Sequence, residues 1–162
     1  MTQKQKTNIL WTSPHCRPDW IERLGDESQG GQTEVMLNQT KSLVRQNPNL
    51  KIDIYTRYQD NDFQIDKKNP EFIGKEIFHN KNEKVHVKEL KEGKLRIVRL
   101  SAGPTDKYIP KEKLYGEHID EFVENIEKFM DLNDINYKLA HGHYADGWET
   151  VTKLSKKLKE QG

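Results

Sequence analysis

Within six residues the chain gathers two imidazoles, a phenol and a carboxylate, at His141-Gly142-His143-Tyr144-Ala145-Asp146. That mixture of donors and acceptors suits a hydroxyl-rich ligand, whose many oxygens each need a partner. Imidazoles with a carboxylate also suit zinc, but the spacing lacks the further histidines of a metal hydrolase, so sugar is favoured over metal. Asp146 has a third use: it can cap the helix that follows, with Glu149 three residues on completing a capping box.

A glycine pair, Gln29-Gly30-Gly31-Gln32, offers different chemistry. Glycines ahead of a helix let a ligand approach the main chain, since no Cβ stands in the way. The free amides of the first turn and the helix dipole then favour an anion such as a diphosphate or a sugar phosphate. The competing reading is a loop that simply needs positive φ. His15, in Ser13-Pro14-His15, falls beside that loop. Its imidazole either hydrogen-bonds a sugar hydroxyl or phosphate oxygen, or sits in a turn exposed to water. Cys16 carries no nucleophile signature and reads as a small, partly buried residue. Lys107 stands on a loop where its point charge suits a phosphate; the plain alternative is one more solvent-facing lysine.

These groups need an α/β frame to hold them. Asn8-Ile9-Leu10-Trp11 reads as a buried first strand, closed by the turn signal Ser13-Pro14. After the glycine pair, Met36, Thr40, Leu43 and Val44 recur at helical spacing until Asn47-Pro48-Asn49 ends the run. Leu50 to Tyr55 alternates as a second strand, which completes a βαβ unit of a parallel sheet. Residues 58–80 are polar, broken by Pro70 and Gly74, and read as an excursion away from the sheet; the polar region as a whole extends to about residue 94. Val85 to Leu90 and Leu95 to Leu100 flank a turn at Gly93, as a hairpin does. Pro110 opens a helical pattern with Ile119, Phe122, Val123, Ile126 and Met130 on one stripe. A third strand over Ile135 to Ala140 and a last helix over Trp148 to Lys159 then bracket the histidine cluster, in the usual ligand crevice of an open α/β sheet.

A chain of 162 residues builds one such domain around one core. Its hydrophobic and charged fractions are equal at 33%, so the core is lean, which implies modest stability or a face that rests on another domain. The net charge of +1 gives no electrostatic footprint for nucleic acid. One cysteine excludes an internal disulfide and fits a reducing compartment. No apolar stretch of signal or membrane-spanning length follows Met1 to Thr7, so a disordered tail over residues 1–7, a cytoplasmic location and no membrane partner are expected.

Taken in order, Ser13-Pro14-His15, Gly30-Gly31-Gln32, Arg96-Ile97-Val98-Arg99, Gly103-Pro104, Lys107-Tyr108-Ile109-Pro110-Lys111-Glu112, Glu121-Phe122-Val123 and His141 to Asp146 form a series. That series resembles the amino-terminal half of the sucrose-phosphate synthase and sucrose synthase group of retaining glycosyltransferases. The resemblance runs from Asn8 onward and is weakest between Gln59 and Lys94; the KYIPKE and HGHYAD stretches are its most specific parts. It implies a Rossmann-like acceptor-binding domain over residues 8–162, facing a donor domain across a cleft. By motif, Gly30 and Gly31 would approach the donor diphosphate. His15, Gln32, Lys107, His143, Tyr144 and Asp146 would serve the acceptor side, with Lys107 on an acceptor phosphate.

The implied reaction moves glucose from a nucleotide sugar such as UDP-glucose to fructose 6-phosphate or a related sugar, with retention and without cofactor or metal. The sequence departs from the family at Gln29, where threonine is usual, at Ser101-Ala102 and at Trp148. It also ends at Gly162, ahead of the donor domain, so a donor-binding partner in cis or trans and negligible activity alone are expected. The rival expectations are a non-catalytic sugar-phosphate-binding or regulatory module, or one half of a split enzyme.

Overall fold

The computed structural model of the protein describes residues 6–18, 31–60, 74–90 and 93–161. Six strands form one sheet in the order β3-β4-β5-β2-β1-β6. They are β1 (Thr7–Thr12), β2 (Leu50–Arg57), β3 (Lys75–Asn80), β4 (Val85–Leu90), β5 (Leu95–Leu100) and β6 (Leu139–Gly142). The helices are α1 (Gly31–Gln46), α2 (Glu117–Leu132) and α3 (Tyr144–Gln161), with a 3-10 turn at Lys111–Lys113. β5, β2, β1 and β6 run parallel, while β3 and β4 add an antiparallel extension beside β5. The α/β, Rossmann-like expectation holds.

Alternation along the central strands builds two cores. Ile52, Ile54, Leu95 and Ile97 face Met36, Leu37 and Val44 of α1. Tyr55, Val98 and Leu100 face the opposite way, onto Phe122, Val123 and Ile126 of α2. Because both faces are covered, β2 is buried almost throughout, as a central parallel strand should be. Its inward polar group is satisfied: Asp53, 3% exposed, takes Arg96 in a two-pronged pair at 2.7 and 2.5 Å and accepts from the Tyr137 hydroxyl at 2.5 Å. Burial first, then the neighbouring Tyr55 and Asp53, pushes the Tyr137 phenol well above its usual range, so it stays a donor.

Four expectations about elements need correction. Lys75–Asn80 lies inside the segment expected to leave the sheet, yet it is the sheet's edge strand, paired antiparallel with β4. The last strand begins later than expected, since only Leu139–Gly142 pairs with β1. The last helix begins four residues earlier, at Tyr144 instead of Trp148. β1 starts at Thr7, which donates its amide to Asn49, so Thr7 belongs to the sheet and not to a tail; residues 1–5 lie outside the described residues.

Candidate functional site

From β1 the chain passes through α1 to β2 on one side, and from β5 it returns through α2 to β6 on the other. The order therefore reverses at β1, and the crevice of such a sheet lies at the carboxyl ends of the strands on either side of the reversal. Residues 13–16 follow β1 there, and His143 to Asp146 follow β6.

Close packing of glycines brings the two ends together. A side chain on Gly142 would meet the Gly147 carbonyl, and one on Gly147 would meet the Thr12 carbonyl. With both positions bare, β6 turns directly into α3 and the His143 amide donates to Thr12 at 2.8 Å. This tight junction explains the early start of α3. Tyr144, at its first position, has φ 69°, a left-handed conformation that costs an L-residue about 1–3 kcal/mol and persists only where surroundings enforce it.

His15 and Asp146 are both buried, at 8% and 0% exposure, and bind each other. Asp146 Oδ2 accepts from the His15 amide at 3.1 Å and lies 2.7 Å from His15 Nδ1. The exposed-turn reading of His15 is thus wrong: its ring is clamped between strand end and helix. The capping-box reading of Asp146 also fails, because the carboxylate sits inside α3 and is occupied by His15, while Glu149 pairs with Lys153 at 2.8 Å. Burial works against a charged imidazole at His15, yet the Asp146 hydrogen bond, helped by Cys16, outweighs it and carries the pKa up to about 10. Cys16 is 2% exposed, with Sγ 3.5 Å from His15 Nε2.

His143 is the reverse case. Burial first, then repulsion from His141, lowers its pKa, so its ring is neutral in neutral solution. The ring hydrogen-bonds the main chain of Gln32 in the first turn of α1. Its Nε2 and Asp146 Oδ1 are buried with no hydrogen-bond partner among the described residues. Gly31 is exposed, and a Cβ there would meet nothing within 4 Å. Gly30 lies outside the described residues. His141 points elsewhere, with its ring centroid 4.0 Å from Trp11 and 6.3 Å from His143, and no group of metal-ligating side chains forms among the described residues.

The third wall comes from the loop after β5. Lys107 is exposed on it, and the chain then runs to Lys111, whose Nζ stands 4.7 Å over the Tyr144 ring. The Tyr144 ring also meets His15 edge-on at 5.4 Å. Hence His15, Gln32, His143, Tyr144 and Asp146 are brought together, and the Lys107 loop approaches them through Lys111. Two participants were not singled out by sequence reasoning. Lys111 was hidden inside a lysine-rich stretch, and Arg57, which donates from its guanidinium to the Lys107 carbonyl at 2.8 Å, offered one signal, a charged residue closing an apolar strand. No helix among the described residues is long and apolar enough to cross a membrane.

Known proteins bear on this arrangement. Mannosylfructose-phosphate synthase of Agrobacterium fabrum is 39% identical over 66 residues, which are 41% of this chain and 14% of that protein. Sucrose-phosphate synthase 1 of Arabidopsis thaliana is 38% identical over 71 positions, covering 36% of this chain and 7% of its own length. The chain is a homologue of these synthases. Probable sucrose-phosphate synthase 2 of Arabidopsis thaliana aligns with 94% of the chain, at 26% identity over 167 positions. The chain spans 16% of that protein's length. No family model matches the sequence. The resemblance carried by the ordered motifs is thus met by sucrose-phosphate synthases and a mannosylfructose-phosphate synthase.

Proposed function

We propose that this chain is the acceptor-binding part of a sucrose-phosphate-synthase-like retaining glycosyltransferase, and that its acceptor is a hexose phosphate. The observation that carries this reading is the hydrogen bond from the His143 ring to the main chain of Gln32 beside the unobstructed Gly31. It puts a neutral imidazole and the first turn of a helix at one crevice, so hydroxyl recognition and anion stabilisation act on one ligand. Lys107 supplies the charge for the acceptor phosphate, and Tyr144 and His143 flank the sugar ring. His15 and Asp146 hold the crevice's shape through their own pair. Gly30 and Gly31 serve the donor diphosphate, whose departure leaves a cationic, oxocarbenium-like sugar; helix-end amides stabilise the phosphates as they take up charge.

The retaining transfer also needs a body that holds the nucleotide sugar, in cis or in trans. Calorimetric titration with fructose 6-phosphate and with fructose tests the acceptor assignment. The phosphorylated sugar should bind and fructose should bind more weakly, with Lys107→Ala lowering affinity for the phosphate roughly ten-fold, as loss of one charge-assisted contact does. Equal binding of both sugars, unchanged by Lys107→Ala, would rule the assignment out.

A further inference from the structure

We infer that Arg57 is a positioning residue for Lys107: its guanidinium fixes the loop that presents the lysine, and so sets the preference for phosphorylated over unphosphorylated sugar. The inference rests on the reading of Lys107 as the phosphate ligand. Arg57 closes β2 and is 1% exposed, among the largest fully buried side chains of the protein. Three of its hydrogen bonds go to main-chain carbonyls of one loop. Nε donates to Ala102 at 2.8 Å, and Nη2 donates to both Pro104 and Lys107, the latter at 2.8 Å.

The geometry explains why an arginine is needed. A planar fork donates in fixed directions from separate nitrogens, whereas an ammonium is one compact point. One nitrogen here ties two carbonyls that are three residues apart, which folds residues 104–107 back on themselves over the end of β2. Other side chains hold the front of the loop. Glu121 accepts from the Ser101 hydroxyl at 2.6 Å and from the Gly103 amide at 2.8 Å, and Asp60 accepts from Thr105 at 3.0 Å. Gly103 has φ 71°, and a Cβ there would lie 2.6 Å from the His118 ring, so the turn is built for glycine. At Lys107 itself the anchor is Arg57. With its main chain pinned, the lysine loses less freedom when it meets a phosphate, and that saved ordering cost appears as affinity.

The test uses the whole chain and fructose 6-phosphate. Arg57→Lys keeps the charge but not the fork. It should weaken fructose 6-phosphate roughly ten-fold while leaving fructose binding unchanged, a split that a general loss of structure does not produce. Adding Lys107→Ala to Arg57→Lys should cost little more, because both act on one contact. If wild type prefers the phosphorylated sugar through Lys107 while Arg57→Lys binds it as wild type does, the positioning role is overturned and the acceptor assignment stands. If wild type shows no such preference, the acceptor assignment falls instead. Nitrogen-15 relaxation on the unliganded wild type keeps the inference testable even where the variant fails to fold. Order parameters near 0.85 for residues 102–107 support it, and values below about 0.6 overturn it.

Discussion

At the scale of residues, two histidines at one crevice are pushed in opposite directions. His15 is held protonated by Asp146, and His143 is kept neutral by burial and by His141. Each makes stability depend on pH, with opposite sign. A histidine whose pKa is raised on folding contributes fully below the unfolded value of 6.5, and that contribution is lost as pH rises through about 10. One whose pKa is lowered costs stability as pH falls below 6.5, because the unfolded chain takes the proton first. Urea midpoints measured across pH should therefore fall on both sides of a maximum near 6.5. The alkaline limb should steepen to at most about 1.4 kcal/mol per pH unit from His15. In Asp146→Asn that limb should flatten between pH 6.5 and 10. A limb of unchanged slope would mean that the His15–Asp146 pair is not the proton-binding unit.

The Asp53–Arg96 pair is a structural counterpart, buried beneath α2 and away from the crevice. Asp53→Ala leaves the Arg96 guanidinium and the Tyr137 hydroxyl without their acceptor, and removal of one partner of a buried pair costs about 3–5 kcal/mol. Chemical denaturation should report a loss of that size; a loss under about 1 kcal/mol would show the network to be dispensable.

At the scale of elements, the glycine junction between β6 and α3 sets the crevice. Gly147→Ala would force a methyl group against the Thr12 carbonyl, which is main chain and cannot swing aside. Overpacking of this kind costs about 1–3 kcal/mol, read as a lowered thermal midpoint. It should also separate His143 from Gln32; an Ala variant with wild-type stability would deny the close approach.

How far these elements were legible follows from their patterns. β1, β2, β4 and β5 carry plain apolar runs or alternation, and their boundaries agree closely with expectation; α2 carries its stripe but begins at Glu117, seven residues after Pro110. β3 does not. Its Ile77 and Phe78 are adjacent, and the ladder slips between Glu76 and Phe78, so no alternation survives to be read. The junction at Tyr144 was hidden for another reason. Gly142 and Gly147 carry no periodic signal of their own, and their bareness serves packing between three elements. The pairing of His15 with Asp146, 131 positions apart in sequence, leaves no local signal at all. The identity of the cluster was legible as chemistry, and its internal bonding was not.

At the scale of the whole molecule, the lean core expected from composition is matched by apolar side chains that stay on the surface. Phe78 is 47% and Leu132 86% exposed, beside a groove of about 730 Å³ between the β3–β4 extension and α2. That groove holds none of the crevice residues. Retaining transfer as proposed needs a separate body for the nucleotide sugar. The 162 residues alone are accordingly expected to form no product from UDP-glucose and fructose 6-phosphate, and sustained turnover would refute that division of labour.

On the proposed function, a hexose phosphate binds where α1 begins and β6 ends. An amide-resolved NMR titration of the 162-residue chain with fructose 6-phosphate tests it most directly. Saturable shift changes should gather at Gly31, Gln32, Lys107, His143 and Tyr144. Changes gathered around Phe78 and Leu132 instead, or none at millimolar sugar phosphate, where an affinity of about −4 kcal/mol would already register, would contradict it.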